Sequence, residues 1–163
     1  MQRRFAQLAL SLVVLLAPDM SKAGSAAPPF DRASVAQELR TGGYSLRLRC
    51  EAWRNRMPQV IAPGAKPQAR RLMIVLSLAE TAKRPIKGVF KLKEVRMFQD
   101  GGNWGATLED ELPWMSPSEV NYSVPDPPDW PAGTAMDVIV RVMDQQGSEL
   151  YIQSKGCRIE EVS

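Results

Sequence analysis

Histidine is the most informative absence in this chain of 163 residues, which contains none. Ser-His-Asp and Cys-His catalysis both need an imidazole to carry a proton, so the sequence excludes them. Most zinc and copper(II) sites also depend on imidazole ligands. We therefore predict a protein that is not an enzyme and that holds neither a metal nor a cofactor.

Two other stretches contain residue types that can carry chemistry, but each has a simpler interpretation. The sequence GGNWG at 101–105 lacks the spacing of a phosphate loop and a following helix, which favours a hairpin turn. Glu109, Asp110 and Glu111 are consecutive, and neighbouring side chains of a strand point in opposite directions. We interpret them as a solvated acidic turn rather than an acid/base pair or a calcium site.

Long apolar runs are also absent, except near the N-terminus. Two arginines there precede an apolar run of about 13 residues at 5–17, whereas a membrane span needs roughly 20. Small residues follow the run, and cleavage after Ala23 or after Ala26 fits their pattern. We predict that residues 1–23 are a cleaved signal peptide, and that the processed protein is periplasmic or secreted and has no membrane span.

Cysteine is scarce, since the chain contains only Cys50 and Cys157. An exported protein meets an oxidising compartment, where an even number of cysteines predicts a disulfide. The two residues lie 107 positions apart, and closing a loop of that length stabilises a fold by about 4–5 kcal/mol in the chain-entropy account. The alternative interpretation is a pair of buried free thiols.

The excess of positive charge is small and comes mostly from the N-terminus. Residues 1–23 carry three basic side chains and one acidic side chain, so their removal lowers the formal charge from +3 to +1. A nucleic-acid-binding domain usually presents a clustered basic face, so we expect no nucleic-acid partner. The remaining chain of about 140 residues is the size of one ordinary domain.

The pattern changes after the first 43 residues. Residues 24–43 are small and polar and predict an N-terminal arm, in which 31–39 could form a short helix with Ser34 and Gln37 at capping-box spacing. From Tyr44 onward apolar and polar residues alternate, as they do in a half-buried strand. We therefore place a β-sandwich domain over 44–163.

Alternation and turn residues predict about seven strands in this domain. Slips in the alternation indicate β-bulges near Lys93 and Glu94 and near Lys155 and Gly156. The strand at 72–79 is apolar almost throughout, which is typical of a central strand. The predicted strands cover residues 44–53, 72–79, 90–99, 104–108, 120–124, 136–142 and 150–154, and the last continues past its bulge to Cys157 and Ile159.

The stretch WPAGTAMDVIVRVMDQQGSELYIQS at 130–154 resembles the closing strands of fibronectin type III and related immunoglobulin-like domains. In those domains a Pro-Gly-Thr turn leads into an alternating strand, a tight turn and a final strand. The resemblance implies an all-β fold, namely an immunoglobulin-like antiparallel β-sandwich of about seven strands. It implies no activity.

Two sets of residues are candidates for recognition. Trp53 lies on the strand face opposite Cys50, and tryptophan and arginine are enriched at binding surfaces. The first candidate set binds a partner protein and comprises Trp53, Arg54, Arg56 and Met57. The alternative interpretation is that these four residues only mark the end of a strand and bind no partner. The second set would stack against a ligand and comprises Trp104, Trp114 and Trp130.

The preferred functional hypothesis is an exported, non-enzymatic module of the cell envelope that binds another envelope or secreted protein or supports structure. The alternatives are a carbohydrate- or small-ligand-binding domain that uses the surface tryptophans and an exported protease inhibitor that presents a loop. The sequence indicates no oligomeric state.

Overall fold

The computed structural model describes residues 31–55, 71–109, 111–112 and 116–162. Several predictions concern residues outside these ranges, namely the signal peptide at 1–23 and the side chains of Arg56, Met57, Asp110 and Trp114.

The described chain is almost entirely β-structure, which confirms the all-β prediction. All seven predicted strands are present, each within a few residues of its expected bounds, and one further strand precedes them. The strands are β1 (Glu38–Thr41), β2 (Tyr44–Asn55), β3 (Leu72–Glu80), β4 (Phe90–Gln99), β5 (Gly102–Thr107), β6 (Glu119–Ser123), β7 (Ala135–Asp144) and β8 (Glu149–Val162).

The helix predicted at 31–39 is wrong. The structure has a single 3-10 turn at Arg32–Ser34, followed by β1. Gly42 and Gly43 both have positive φ, at 54° and 80°, and so form the two-residue turn of a β-hairpin between β1 and β2. Cross-strand pairing therefore outweighs the weak capping signal on which the helix prediction rested.

The strands form a curled mixed sheet with the order β5-β4-β7-β8-β2-β3-β6, and β1 pairs with β2 beside this path. The prediction of a wholly antiparallel arrangement is wrong at one pairing, because β2 and β8 run parallel from Ala52 and Ile159 onward. β8 has 14 residues, so its first part can pair with β7 and its end can reach β2. All other neighbouring strands are antiparallel.

Both predicted bulges are confirmed. Lys93 is the extra residue between two consecutive pairs of β4 with β7. In β8, Lys155 and Gly156 together face Asp137 of β7. The Asp137 carboxylate accepts a hydrogen bond from the Gly156 N–H at 3.0 Å, which holds the second bulge in place.

The predicted disulfide between Cys50 and Cys157 is confirmed, with the two Cα atoms 5.8 Å apart. It joins β2 to β8 two residues before the first parallel pair, Ala52 with Ile159. Both cysteines adjoin the main core, whose side chains come from alternate positions of β2, β3, β4, β7 and β8.

The chain before β1 packs on the face of the sheet away from this core. Val35 is buried against Phe98 and Ile139 in a second, smaller apolar cluster. The Arg32 guanidinium lies 4.3 Å from the centre of the Phe98 ring and pairs with Asp137 at 2.8 Å. These contacts attach residues 31–37 firmly to the sheet.

Candidate functional site

Trp53 lies on the outer face of the sheet, as its position in the alternation predicts. Its neighbour Ala52 is buried in the core, whereas Trp53 is only partly buried. In the sheet Trp53 stands between Met73 of β3 and Glu160 of β8, which are its direct cross-strand partners.

Several apolar side chains lie beside Trp53 on the outer face of the sheet. Met73 is 49% exposed and Val162 is 43% exposed, and they are the two exposed large hydrophobic residues in the described part of the chain. Met73 is paired with Trp53, while Val162 and the half-buried Val75 are diagonal neighbours on the same face. We call Trp53, Met73, Val75 and Val162 the Trp53 patch.

Charged residues border the Trp53 patch. Glu51 pairs with Val75, and Glu160 pairs with Trp53, so two carboxylates share this face. Arg158 is exposed two residues before Glu160. A cleft of about 630 Å³ opens beside the patch and is lined by Trp53, Val162 and the Cys50–Cys157 disulfide. An apolar centre with a charged rim is the usual anatomy of a protein-binding surface.

Arg54, which the sequence grouped with Trp53, lies on the opposite side of β2. Its Nε donates a hydrogen bond to the carbonyl oxygen of Trp130 at 2.9 Å, and its Nη2 pairs with the Asp129 carboxylate. The side chain is only 19% exposed. Arg54 therefore fastens the segment before β7 to β2, and the structure does not bring it into the Trp53 patch.

Trp104 and Trp130 occupy different parts of the fold. Trp104 belongs to β5, at one end of the strand order, whereas Trp130 lies in the segment that Arg54 binds on β2. Both side chains are partly buried against the main core. The described part of the structure therefore gives them a packing role and places no shared cleft between them.

The strongest electrostatic interactions lie away from the Trp53 patch and are structural. Hydrogen bonds from Arg47, Ser45 and Arg40 lower the pKa of Glu38 to about 2. The fully buried Glu80 carboxylate binds Arg84, which lowers the pKa of Glu80. Both carboxylates thus brace the β1–β2 hairpin and the turn after β3.

The acidic stretch after β5 contacts Tyr122 of β6 through Glu111. Burial, together with the adjacent Glu111 carboxylate, raises the pKa of Tyr122 to about 12. The Tyr122 hydroxyl donates to Glu111 at 3.3 Å. Among the residues that the structure describes, no three His, Cys, Asp or Glu side chains cluster as metal ligands would.

Sequence reasoning missed Met73 and Val162. The near-continuous apolar run of β3 indicated a strand buried on both faces, but Met73 is exposed and Val75 on the same face is only half-buried. Val162 lies beyond Ile159, where the predicted alternation of the last strand ended. The register that sets both residues beside Trp53 depends on strand pairing, which local pattern does not reveal.

Comparison with known proteins gave no match, since neither a protein-family model, nor a curated protein, nor a solved structure matches the chain at a significant level. None of the described residues belongs to a helix that is long and apolar enough to cross a membrane.

Proposed function

We propose that the protein is an exported, non-enzymatic β-sandwich of the immunoglobulin-like class that binds another envelope or secreted protein through the Trp53 patch. One observation carries the proposal: the two exposed large hydrophobic residues of the described chain both flank a partly exposed tryptophan. Isolated exposed hydrophobic residues are ordinary, but a contiguous apolar patch with a charged rim favours a binding surface.

The strand order supports the immunoglobulin-like assignment. Dividing the sheet between β8 and β2 yields two groups, β2-β3-β6 and β8-β7-β4-β5. These groups correspond to the A-B-E and G-F-C-C′ strands of immunoglobulin-like domains. The resemblance of residues 130–154 to the closing strands of such domains agrees with this assignment, because those residues form β7 and the start of β8.

Export is supported by two independent features. The N-terminal residues have the composition of a signal peptide. The Cys50–Cys157 disulfide fits an oxidising compartment, since structural disulfides are rare in reducing cytosol.

The chemistry of the Trp53 patch favours a protein partner over a sugar. Met73, Val75 and Val162 are aliphatic side chains on adjacent strands and offer packing area rather than hydrogen bonds. Met is well suited to this role because its flexible thioether adapts to a partner surface. The patch also lies on strands, whereas the inhibitor alternative requires a protruding loop.

Co-purification with a matched control tests the proposal. We expect Met73→Glu, which places a charge in the apolar centre, to reduce retention of the bound envelope or secreted protein by about tenfold or more. Gln146→Glu adds the same charge at an exposed turn and should leave retention unchanged. Equal retention by the two folded variants would contradict a role for the Trp53 patch.

A further inference from the structure

Among the residues that the structure describes, the sheet has one unprotected edge, and it lies far from the Trp53 patch in the strand order. Strand β6 is covered at its outer side, where Leu112 N–H donates to the Asn121 carbonyl at 2.8 Å and Glu111 bridges to Tyr122. Strand β1 has four residues and carries charged Glu38 and Arg40. In the described structure, strand β5 has neither a covering segment nor charged side chains. Its six residues, GNWGAT, contain no charge and no proline. Natural sheets usually protect such edges.

The register of β5 identifies the backbone groups that point outward. Leu108 N–H donates to the Lys93 carbonyl at 2.9 Å, and the pairing of β4 with β5 continues without a shift from that point. Hydrogen-bonded and non-hydrogen-bonded pairs alternate in an antiparallel ladder. Asn103, Gly105 and Thr107 therefore direct their N–H and C=O groups away from β4. No backbone partner for these groups occurs within the described residues.

Side chains on this edge would admit an added strand. Trp104 and Ala106 pack toward the main core, whereas the alternate positions hold Asn103, Gly105 and Thr107, which are small and exposed. Neither bulk nor a bulge obstructs the approach of a second backbone, because the pairing of β5 is regular along its whole length.

Charge at the two ends of β5 decides what kind of strand fits. Asp100 precedes the strand and Glu109 follows it, and both are exposed. Neither forms an ion pair with any residue that the structure describes. Because the outward groups lie at odd positions, antiparallel pairing with a second copy would set odd residues opposite odd residues, such as Asn103 opposite Thr107. Asp100 of one copy and Glu109 of the other would then lie at the same end of the paired strands, one position out of register. A second copy of this chain is therefore disfavoured by like-charge repulsion.

We propose that β5 is a second binding surface, which takes an extended segment of a partner polypeptide as an added strand, and that this segment carries basic residues at both ends. The backbone groups of Asn103, Gly105 and Thr107 supply the hydrogen bonds, and Asp100 and Glu109 supply the charge selection. Strand addition of this kind is an established mode of peptide recognition. The proposal is independent of the Trp53 patch, which involves β2, β3 and β8.

A synthetic peptide with the proposed strand propensity and charge tests the surface directly. The probe has three Thr-Val repeats between two pairs of lysines, and its control has glutamates in place of the lysines. Both are titrated to millimolar concentration into the isotope-labelled, disulfide-bonded processed protein. We expect the basic peptide to shift the amide NMR signals of Asn103, Gly105 and Thr107 and to slow their hydrogen exchange, while the acidic peptide leaves them unchanged.

Two variants separate backbone pairing from charge. Thr107→Pro removes an outward N–H and spares the bonds to β4, so we expect affinity for the basic peptide to fall about tenfold, whereas Thr107→Val should retain it. Asp100→Asn combined with Glu109→Gln should reduce affinity and flatten its dependence on salt.

The outcomes discriminate clearly. Shifts confined to the outward amides of β5, with loss in Thr107→Pro but not in Thr107→Val, support the proposal. Absence of shifts with the basic peptide, or equal binding of the basic and acidic peptides, would overturn it. If Thr107→Pro does not fold, the test rests on the variant that combines Asp100→Asn with Glu109→Gln. Both of its changes are at exposed positions, so it should fold.

Discussion

Cys50 and Cys157 are bonded at the point where β2 changes its neighbour. On the edge away from β3, β2 first pairs with β1 up to Arg47 and then with β8 from Ala52. Residues 48–51 have no strand partner on that edge in the described structure. The disulfide spans this gap and fixes the start of the parallel pairing that brings Val162 to the Trp53 patch.

Removal of the disulfide should therefore weaken both the fold and the site. We expect the double variant Cys50→Ala, Cys157→Ala to lose about 4–5 kcal/mol of unfolding free energy, because the bond closes a long loop. Urea denaturation measures this loss. Amides of residues 159–162 should also exchange faster, since they depend on the pairing with β2. An unchanged denaturation midpoint would show that the bond contributes little.

Arg54 should contribute to stability and not to recognition. Arg54→Ala leaves the Trp130 carbonyl without its bond to this guanidinium, so we expect a loss of about 1–2 kcal/mol in chemical denaturation. Arg71→Ala is a matched control, because Arg71 pairs with Asp126 at 3.3 Å between two highly exposed side chains. Such surface pairs contribute little. Loss of partner binding in a folded Arg54→Ala protein would contradict the assignment.

The stability of the protein should fall in acid partly through Glu38. Its pKa is lowered from 4.5 to about 2 by hydrogen bonds, chiefly from Arg47, so the folded state favours the ionised form. This contribution is complete above pH 4.5 and is lost as the pH falls toward 2. Glu38→Gln should show a weaker pH dependence in that window, measured by denaturation midpoints. If the denaturation midpoints of Glu38→Gln and of the wild-type protein changed with pH in the same way, the contribution of Glu38 to acid sensitivity would be refuted.

The contacts of Arg32 should keep residues 31–37 on the sheet. Although burial raises the pKa of Asp137, the Gly156 N–H and Arg32 outweigh it, so the net pKa is lowered and the carboxylate stays ionised. Arg32→Ala removes the ion pair and the contact with Phe98. We expect faster hydrogen exchange at the backbone N–H of Gln153, which donates to the Ala36 carbonyl at 3.0 Å. Exchange at the wild-type rate would show that Arg32 does not hold the segment.

Local pattern predicted much of this fold. The alternation from Tyr44 gave the direction of each side chain on β2, and the slips at Lys93 and at Lys155 marked real bulges. These features are local, because side-chain direction in a strand repeats every two residues. The pairing of Cys50 with Cys157 followed from the compartment and from the count of cysteines.

The features that were missed all depend on pairing between strands, which the pattern of a single strand does not reveal. Strand β1 forms because it can pair with β2, and the parallel contact of β2 with β8 requires residues about 107 positions apart. The exposure of Met73 depends on what packs over its end of β3, which the sequence of β3 itself does not record. The candidate site was therefore only partly foreseen, through Trp53.

Photo-crosslinking at Met73 tests the central claim most directly. The protein carries a photoreactive residue at position 73, and irradiation is performed in cells that naturally make it. We predict a defined adduct with one envelope or secreted protein, which disappears when Trp53→Ala is added and does not form from a probe at exposed Lys91 on β4. Absence of an adduct at position 73, or an adduct that persists in Trp53→Ala, would contradict recognition through the Trp53 patch.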